Sequence, residues 1–224
     1  MIKTVIFDMD GVIVDTEPMH HYAFQQHFKL LNIDVSPELY ASFTGNSTKN
    51  VYTKLKNTFQ INQNIDSLVQ QKRNLFNDVF DNDNNLKLLD GVENLIVDLY
   101  QNNIQLILAS SSANTTINKI FTKFDLNRYF AHKISGEDFE FSKPHPAIFN
   151  HAVKLSNHQS QNCIVIEDST SGIAAAKAAN IFCIGYDSFN SKLQNYSMAD
   201  IVISNFNELN SDKILNINTF KKQF

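Results

Sequence analysis

Tryptophan is absent from this 224-residue chain, cysteine occurs twice, and the 19 Lys and Arg are outnumbered by 23 Asp and Glu. Each shortage closes off a class of protein. The two cysteines, Cys163 and Cys183, lie in the apolar runs CIVI and IFCIG, with no CxxC and no metal-type spacing. Nothing there asks for a disulfide, and such cysteines pack as small hydrophobes. The seven histidines form no HxxxH or HExxH pair, so a zinc site is not indicated. A formal net charge of −4 leaves no basic excess to neutralise nucleic-acid phosphates. No stretch reaches the 18 or so apolar residues of a membrane span. The N-terminal run MIKTVIFDMDGVIVD is interrupted by aspartates and lacks a small-residue cleavage site, unlike a secretory signal. The expectation is a cytoplasmic protein with neither nucleic acid nor membrane as partner.

What is present suffices for a folded core. Hydrophobic residues make up 43% and charged residues 19%, with 18 Phe and 7 Tyr supplying bulk. The length allows one or two domains. Short apolar, β-branched runs predict buried strands at Ile2–Phe7, Gln105–Ala109, Cys163–Ile166, Ile181–Gly185 and Ile201–Ile203. Between them, helical periodicity marks Val92–Tyr100, Thr115–Phe124, Pro146–Leu155 and Gly172–Ala179. Alternating strands and helices imply an α/β fold, a doubly wound, Rossmann-like, mostly parallel sheet. From Thr16 to Leu86 the character changes. Helical spacing at Tyr22–Leu31, Val51–Phe59 and Leu68–Phe80, with no convincing strand, predicts a helical insertion after the first strand, closed by the turn-forming Asp81–Asn85. The expected division is therefore a core of residues 1–15 and 87–224 and an insertion of residues 16–86.

In a doubly wound sheet, ligands bind beyond the carboxyl ends of the strands. Reading on from each strand end gives Asp8 and Asp10, then Ser110-Ser111-Ser112, then Glu167-Asp168-Ser169, with Ser142-Lys143-Pro144 before the third core helix. Each piece alone has an ordinary reading as a helix cap, a solvated turn or a loop charge. Their joint occurrence, in chain order and at strand ends, points to phosphoryl transfer. An aspartate can attack phosphorus, a hard cation such as Mg²⁺ suits oxygen-only ligands, and a lysine neutralises the transferring group.

These residues also carry a family likeness. FDMDGVIVDTEP at Phe7–Pro18, LASSS at Leu108–Ser112, SKPHPAIF at Ser142–Phe149 and IEDSTSGIAAAKAA at Ile166–Ala179 resemble the four motifs of the haloacid dehalogenase superfamily. More closely, the chain is similar to its β-phosphoglucomutase-like phosphatases, which carry a helical cap after the first strand. The resemblance implies Asp8 as nucleophile and Asp10 as general acid and base. It implies Mg²⁺ held by Asp8, Asp10, Asp168 and Glu167, the last directly or through water. Ser110, Ser111 and Lys143 would bind the phosphoryl group. Asp15 and Thr16 would lie at the hinge, with His20 facing the site from the cap. A monomer acting on a small phosphorylated metabolite is the corresponding expectation.

An Asp10 beside Asp8 implies phosphate esters rather than carbon–halogen bonds, since an alkoxide leaving group needs a proton. In β-phosphoglucomutases the cap loop carries cations around its glycine; here Thr44 and Thr48 stand there, with Lys49 one step away. The reading is therefore a phosphatase for a small phosphomonoester such as a sugar phosphate. The alternatives are a phosphomutase and, in another class, a non-enzymatic phospho-accepting signalling module.

Overall fold

The computed structural model describes residues 1–187 and 193–217; the remaining residues of the expected core lie outside them. The first strand, β1 (Thr4–Phe7), is buried along its whole length. The insertion follows as α1 (Glu17–Leu31), α2 (Pro37–Ala41), α3 (Thr48–Phe59) and α4 (Ile65–Asn82). The chain then alternates: α5 (Val92–Gln101), β2 (Gln105–Ser110), α6 (Asn114–Lys123), β3 (Phe130–Ser135), α7 (Ala147–Ser156), β4 (Cys163–Glu167), α8 (Thr170–Ala178), β5 (Phe182–Tyr186), β6 (Ile201–Ile203) and α9 (Ser211–Leu215). The six strands form one sheet in the order β3-β2-β1-β4-β5-β6. Every pairing is parallel.

The apolar runs are continuous because both faces of the sheet are covered. Successive side chains alternate between faces. Val5 and Phe7 accordingly join Leu106, Leu108, Ile164 and Ile166 in one core. Ile6 joins Ile107, Ala109, Cys163, Val165 and Cys183 in the other. Both cysteines are free and buried, as expected of small hydrophobes. A third cluster, built on Phe24, Phe28, Tyr52, Leu55 and Leu68, belongs to the insertion alone. Met19, Ala23, Phe76 and Phe80 belong instead to the sheet-side core, so the feet of α1 and α4 are rooted in it.

Three elements escape the periodicity, the five-residue α9 among them. In β3, FAHKIS, polar His132 and Lys133 interrupt the apolar run, because this edge strand is exposed over part of its length. The five-residue α2 is too short for a periodic signal. Among the described residues no helix is long and apolar enough to cross a membrane.

Register brings the strand ends together. Phe7 pairs with Leu108 on one side and Ile166 on the other. Asp8, the serines after Leu108 and the acids after Ile166 therefore emerge at one edge, where β1 lies between β2 and β4. The chain leaves toward β3 on one side and returns to β4 on the other, which makes this the switch point of the sheet.

Candidate active site

Beyond β1 the chain turns at once. Gly11 N–H donates to the Val14 carbonyl (2.8 Å), and Ile13 and Val14 donate back to Met9 (2.8 and 3.1 Å). Gly11 has φ +84°, and a Cβ there would stand 2.1 Å from Asp168 Oδ2, so glycine is required twice over. This turn presents Asp8 and Asp10 to a cleft of about 970 Å³, counting its open mouth, between the sheet edge and the insertion.

Asp8 is anchored by Lys143. Lys143 Nζ donates to Asp8 Oδ1 (2.5 Å), Glu167 Oε1 (2.7 Å) and the Ala109 carbonyl (3.1 Å), which uses all three of its protons. Burial alone would lower its pKa; the two carboxylates outweigh this and hold it above the ordinary lysine value. Burial pushes the Asp8 carboxyl up to about 7, with Lys143 opposing and Glu167 and Asp10 adding to the rise. Asp10 behaves differently. Burial raises it too, but the nearby His20 ring and then hydrogen bonds from Ser112 and Thr16 prevail and hold it at about 2. Ser112 Oγ donates at 2.6 Å. Two carboxylates two residues apart are thus driven in opposite directions, which separates their chemical roles.

The insertion supplies the opposite wall. On α1, Glu17, His20 and Phe24 share one face and line the cleft. From α4 come Lys72, Arg73 and Phe76. Lys72 is 2% exposed, and its Nζ lies 2.6 Å from His20 Nδ1 and 4.4 Å from the Phe24 ring centroid. An ammonium has only protons to give, so His20 Nδ1 accepts and its N–H is on Nε2. That Nε2 lies 3.7 Å from Asp10 Oδ1. Burial, and next the Lys72 charge, lower the His20 pKa and keep the ring neutral.

Most of the residues expected from sequence therefore meet: Asp8, Asp10, His20, Ser111, Lys143 and Asp168. Others stand elsewhere or are engaged differently. Lys49 is exposed and does not line the cleft, because α3 begins at Thr48 and turns the next side chain outward. Ser110 is wholly buried, its Oγ accepting from Ser112 N–H (3.0 Å) and reaching Asp10 Oδ2 at 3.5 Å; Ser111 and Ser112 face the cleft instead. Asp15 is half-buried behind the turn and is not a cleft-lining residue. Glu167 has both oxygens engaged, Oε1 by Lys143 and Oε2 by Ser169 N–H (2.8 Å) and Oγ (2.9 Å), and so orients Lys143.

Sequence reading missed Ser112, Glu17, Tyr40, Lys72 and Arg73. Lys72 had a signal: it sits on the α4 stripe Leu68, Lys72, Phe76, Phe80, a charge where helical periodicity demands an apolar residue.

The family model for haloacid dehalogenase-like hydrolases matches residues 5–186. The chain belongs to this family. The chain is similar to the crystal structure of β-phosphoglucomutase from Clostridium difficile, with a TM-score of 0.85, 29% identity, and coverage of 98% of this chain and 99% of that one. It is 28% identical to hexitol phosphatase B of Escherichia coli, over 96% of this chain and 97% of that protein. It is 27% identical to a phosphorylated carbohydrates phosphatase of Thermotoga maritima, over 80% of this chain and 82% of that protein.

Haloacid dehalogenase-like phosphatases generally use Mg²⁺, and the residues here fit one. Asp8, Asp10, Glu167 and Asp168 gather at adjoining strand ends, and Lys143 is bonded to two of them; burial first, then Glu167 and Asp10, raise the Asp8 carboxyl, a rise that a cation would oppose. The Asp168 carboxylate lies against the bare Cα of Gly11, beside the Asp8–Asp10 turn. Among the described residues no three Asp, Glu, His or Cys side chains converge as a metal group. The donors gathered at these strand ends are oxygens, the set that suits a partly hydrated Mg²⁺.

Proposed function

We propose that this protein is a Mg²⁺-dependent phosphatase that hydrolyses a small phosphomonoester, such as a sugar phosphate, through a covalent aspartyl-phosphate on Asp8. The observation that carries this reading is the pair of carboxylates at the end of β1, one bonded to a buried lysine at 2.5 Å and the other held ionised by the hydroxyls of Ser112 and Thr16 and the nearby His20. Residues 16–86 act as its cap, and Thr16, which donates to Asp10 Oδ1, ties the hinge to the catalytic carboxylate.

In the first step an Asp8 oxygen forms a bond to phosphorus as the ester P–O bond breaks. The leaving oxygen takes a proton from Asp10. In the second, water attacks the aspartyl-phosphate and gives a proton to Asp10, Asp8 departs as carboxylate, and inorganic phosphate is released. As arranged, Asp10 is the base of the second step. A phosphate dianion beside it raises its affinity for the proton that the first step consumes. Lys143 fixes Asp8 and neutralises charge on the transferring group. Bound Mg²⁺, held by Asp8, Asp168 and the Asp10 backbone, supplies further charge neutralisation. The walls of the insertion exclude bulk water.

The test is phosphate release from a panel of phosphorylated metabolites with and without Mg²⁺. Asp8→Asn should lower turnover by about a thousandfold or more while folding survives. Full activity of that variant refutes the reading.

One observation favours a phosphomutase: Lys72 and Arg73 provide cleft-lining cations that the Thr44–Lys49 stretch lacks. Both are already engaged, Lys72 by His20 and Arg73 by Glu137 Oε1, which weighs against a second phosphate there. Supplying β-glucose 1-phosphate with a bisphosphate primer decides between them: isomerisation without free phosphate is the mutase outcome.

A further inference from the structure

Glu17 has no part in the chemistry above, yet its carboxylate lines the cleft. Oε1 accepts one hydrogen bond, from the Tyr40 hydroxyl at 3.0 Å, and this is its hydrogen bond among the described residues. A carboxylate offers about four acceptor sites, so most of its capacity is directed at whatever fills the cleft. Tyr40 is held in turn: its ring meets His21 edge-on at 4.9 Å and Phe43 at 5.8 Å. The acceptor is therefore fixed in position before substrate arrives. Donors stand near it in Lys72 and Arg73, and the apolar faces of Phe24, Phe43 and Phe76 complete the wall.

Charge narrows the ligand. Arg73 is matched by Glu137, and burial drives both Glu17 and Lys72 to about 7, so ionised or neutral these two cancel and add no net charge of either sign. An anion would displace an existing partner there. A chain of neutral hydroxyls would not: each can donate to Glu17 or accept from Lys72, and its C–H faces can lie on the aromatic rings. We infer that Glu17, pinned by Tyr40, is a specificity-determining residue that accepts hydrogen bonds from hydroxyls on the leaving-group carbons of a polyol or sugar monophosphate. This rests on the hydrolase reading and adds the class of leaving group.

The experiment compares kcat/KM for a hexitol 6-phosphate and for hexyl phosphate, the same chain without hydroxyls. The wild type should favour the hexitol ester. In Glu17→Leu that preference should fall by about tenfold or more, since charge-assisted hydrogen bonds are among the strong ones. Glu17→Gln, which keeps the shape and one acceptor oxygen, should fall between, and Tyr40→Phe should lose less than Glu17→Leu. A purely structural Glu17 would lower both esters together, and an unchanged ratio in Glu17→Leu and Glu17→Gln overturns the inference. The same ratio, read as Kd in an Asp8→Asn background, needs no turnover. Absent phosphate release from wild type would then condemn the hydrolase reading, whereas an unchanged Kd ratio would condemn the role of Glu17.

Discussion

Two lysines are buried at this site, one on each side of the cleft, and they are buried on opposite terms. Lys143, 1% exposed, sits in the α/β core between two carboxylates. Lys72, 2% exposed, sits in the insertion against a neutral histidine and aromatic rings, with Asp10 and Glu17 acting on it through space. The first is held above the usual lysine pKa, whereas burial lowers the second to about 7. The core thus carries a compensated charge and the insertion an under-compensated one. A compensated charge fixes geometry. An under-compensated one is a standing cost that the wall tolerates and that an arriving oxygen ligand relieves.

Lys143→Met should give the largest effect. It leaves Asp8 and Glu167 buried without their cation, and breaking a buried pair costs about 3–5 kcal/mol. Phosphate release should fall by orders of magnitude, because both the orientation of the nucleophile and a charge on the transferring group are lost. Urea denaturation and a turnover assay read the two losses separately. A variant of unchanged stability would mean that the core pair is no more compensated than its counterpart.

Lys72→Met should move stability the other way. A lysine whose folded pKa lies below its unfolded value of 10.5 leaves the folded chain with fewer protons than the unfolded one between about pH 7 and 10.5. Wild-type stability therefore rises with pH across that window, and below about 7 the penalty is full. Removing the amine should raise stability at pH 6, on the order of a few kcal/mol, and flatten the slope. For Lys143 the sign reverses: its contribution is complete below 10.5 and fades only at still higher pH. Denaturation midpoints at pH 6, 7, 8 and 9 check the Lys72 slope, and midpoints above pH 10.5 the Lys143 one. A destabilised Lys72→Met at pH 6 would show that its ring contacts outweigh its desolvation.

Cation addition tests whether the core is fully compensated even so, since Asp10 and Asp168 lie beside the pair that Lys143 holds. Mg²⁺ at a hundredfold over its Kd should stabilise the protein by about 2.7 kcal/mol. Asp168→Asn should lose most of that gain, read as a smaller shift in melting temperature. Equal shifts in both proteins would remove Asp168 from the metal site.

The contrast also explains what was legible in advance. The core half of the site lies at strand ends, and a strand of buried β-branched residues followed by an acid is visible in TVIFD or CIVIED. Sheet order then brings those ends together without further information. The insertion half depends on which face of each helix turns inward. Lys49 is the candidate cation by sequence because it stands one step from Thr48, where a cation is expected, but a side chain one step further along a helix points about 100° away from its neighbour. Lys72 and Arg73, two turns inside α4, had to be read against the apolar stripe. Glu17 was quoted as part of a motif whose other members did chemistry, and only the cleft shows what it faces. β3 stayed hidden because an edge strand needs fewer apolar residues than a central one.

Arg73 sharpens the comparison from a third position. It follows Lys72 directly in α4, but its guanidinium reaches across the cleft to Glu137 in the core and keeps 31% of its side-chain surface in solvent. Glu137 Oε2 meanwhile accepts from Asn114 N–H at the start of α6 (2.9 Å). Glu137→Gln keeps that second bond and removes only the charge facing Arg73. A half-exposed pair is screened by water and salt, so stability should drop by only about 0.2–1 kcal/mol. Its larger role is to join the insertion to the core. If that junction favours the closed cleft, KM should rise several-fold in Glu137→Gln with kcat nearly unchanged, and the rise should shrink at high salt in the wild-type comparison, where the pair is already weakened. An equal fall in kcat would instead assign Arg73 to the reacting phosphate, and the three cations would then divide by chemistry rather than by the side of the cleft on which they lie.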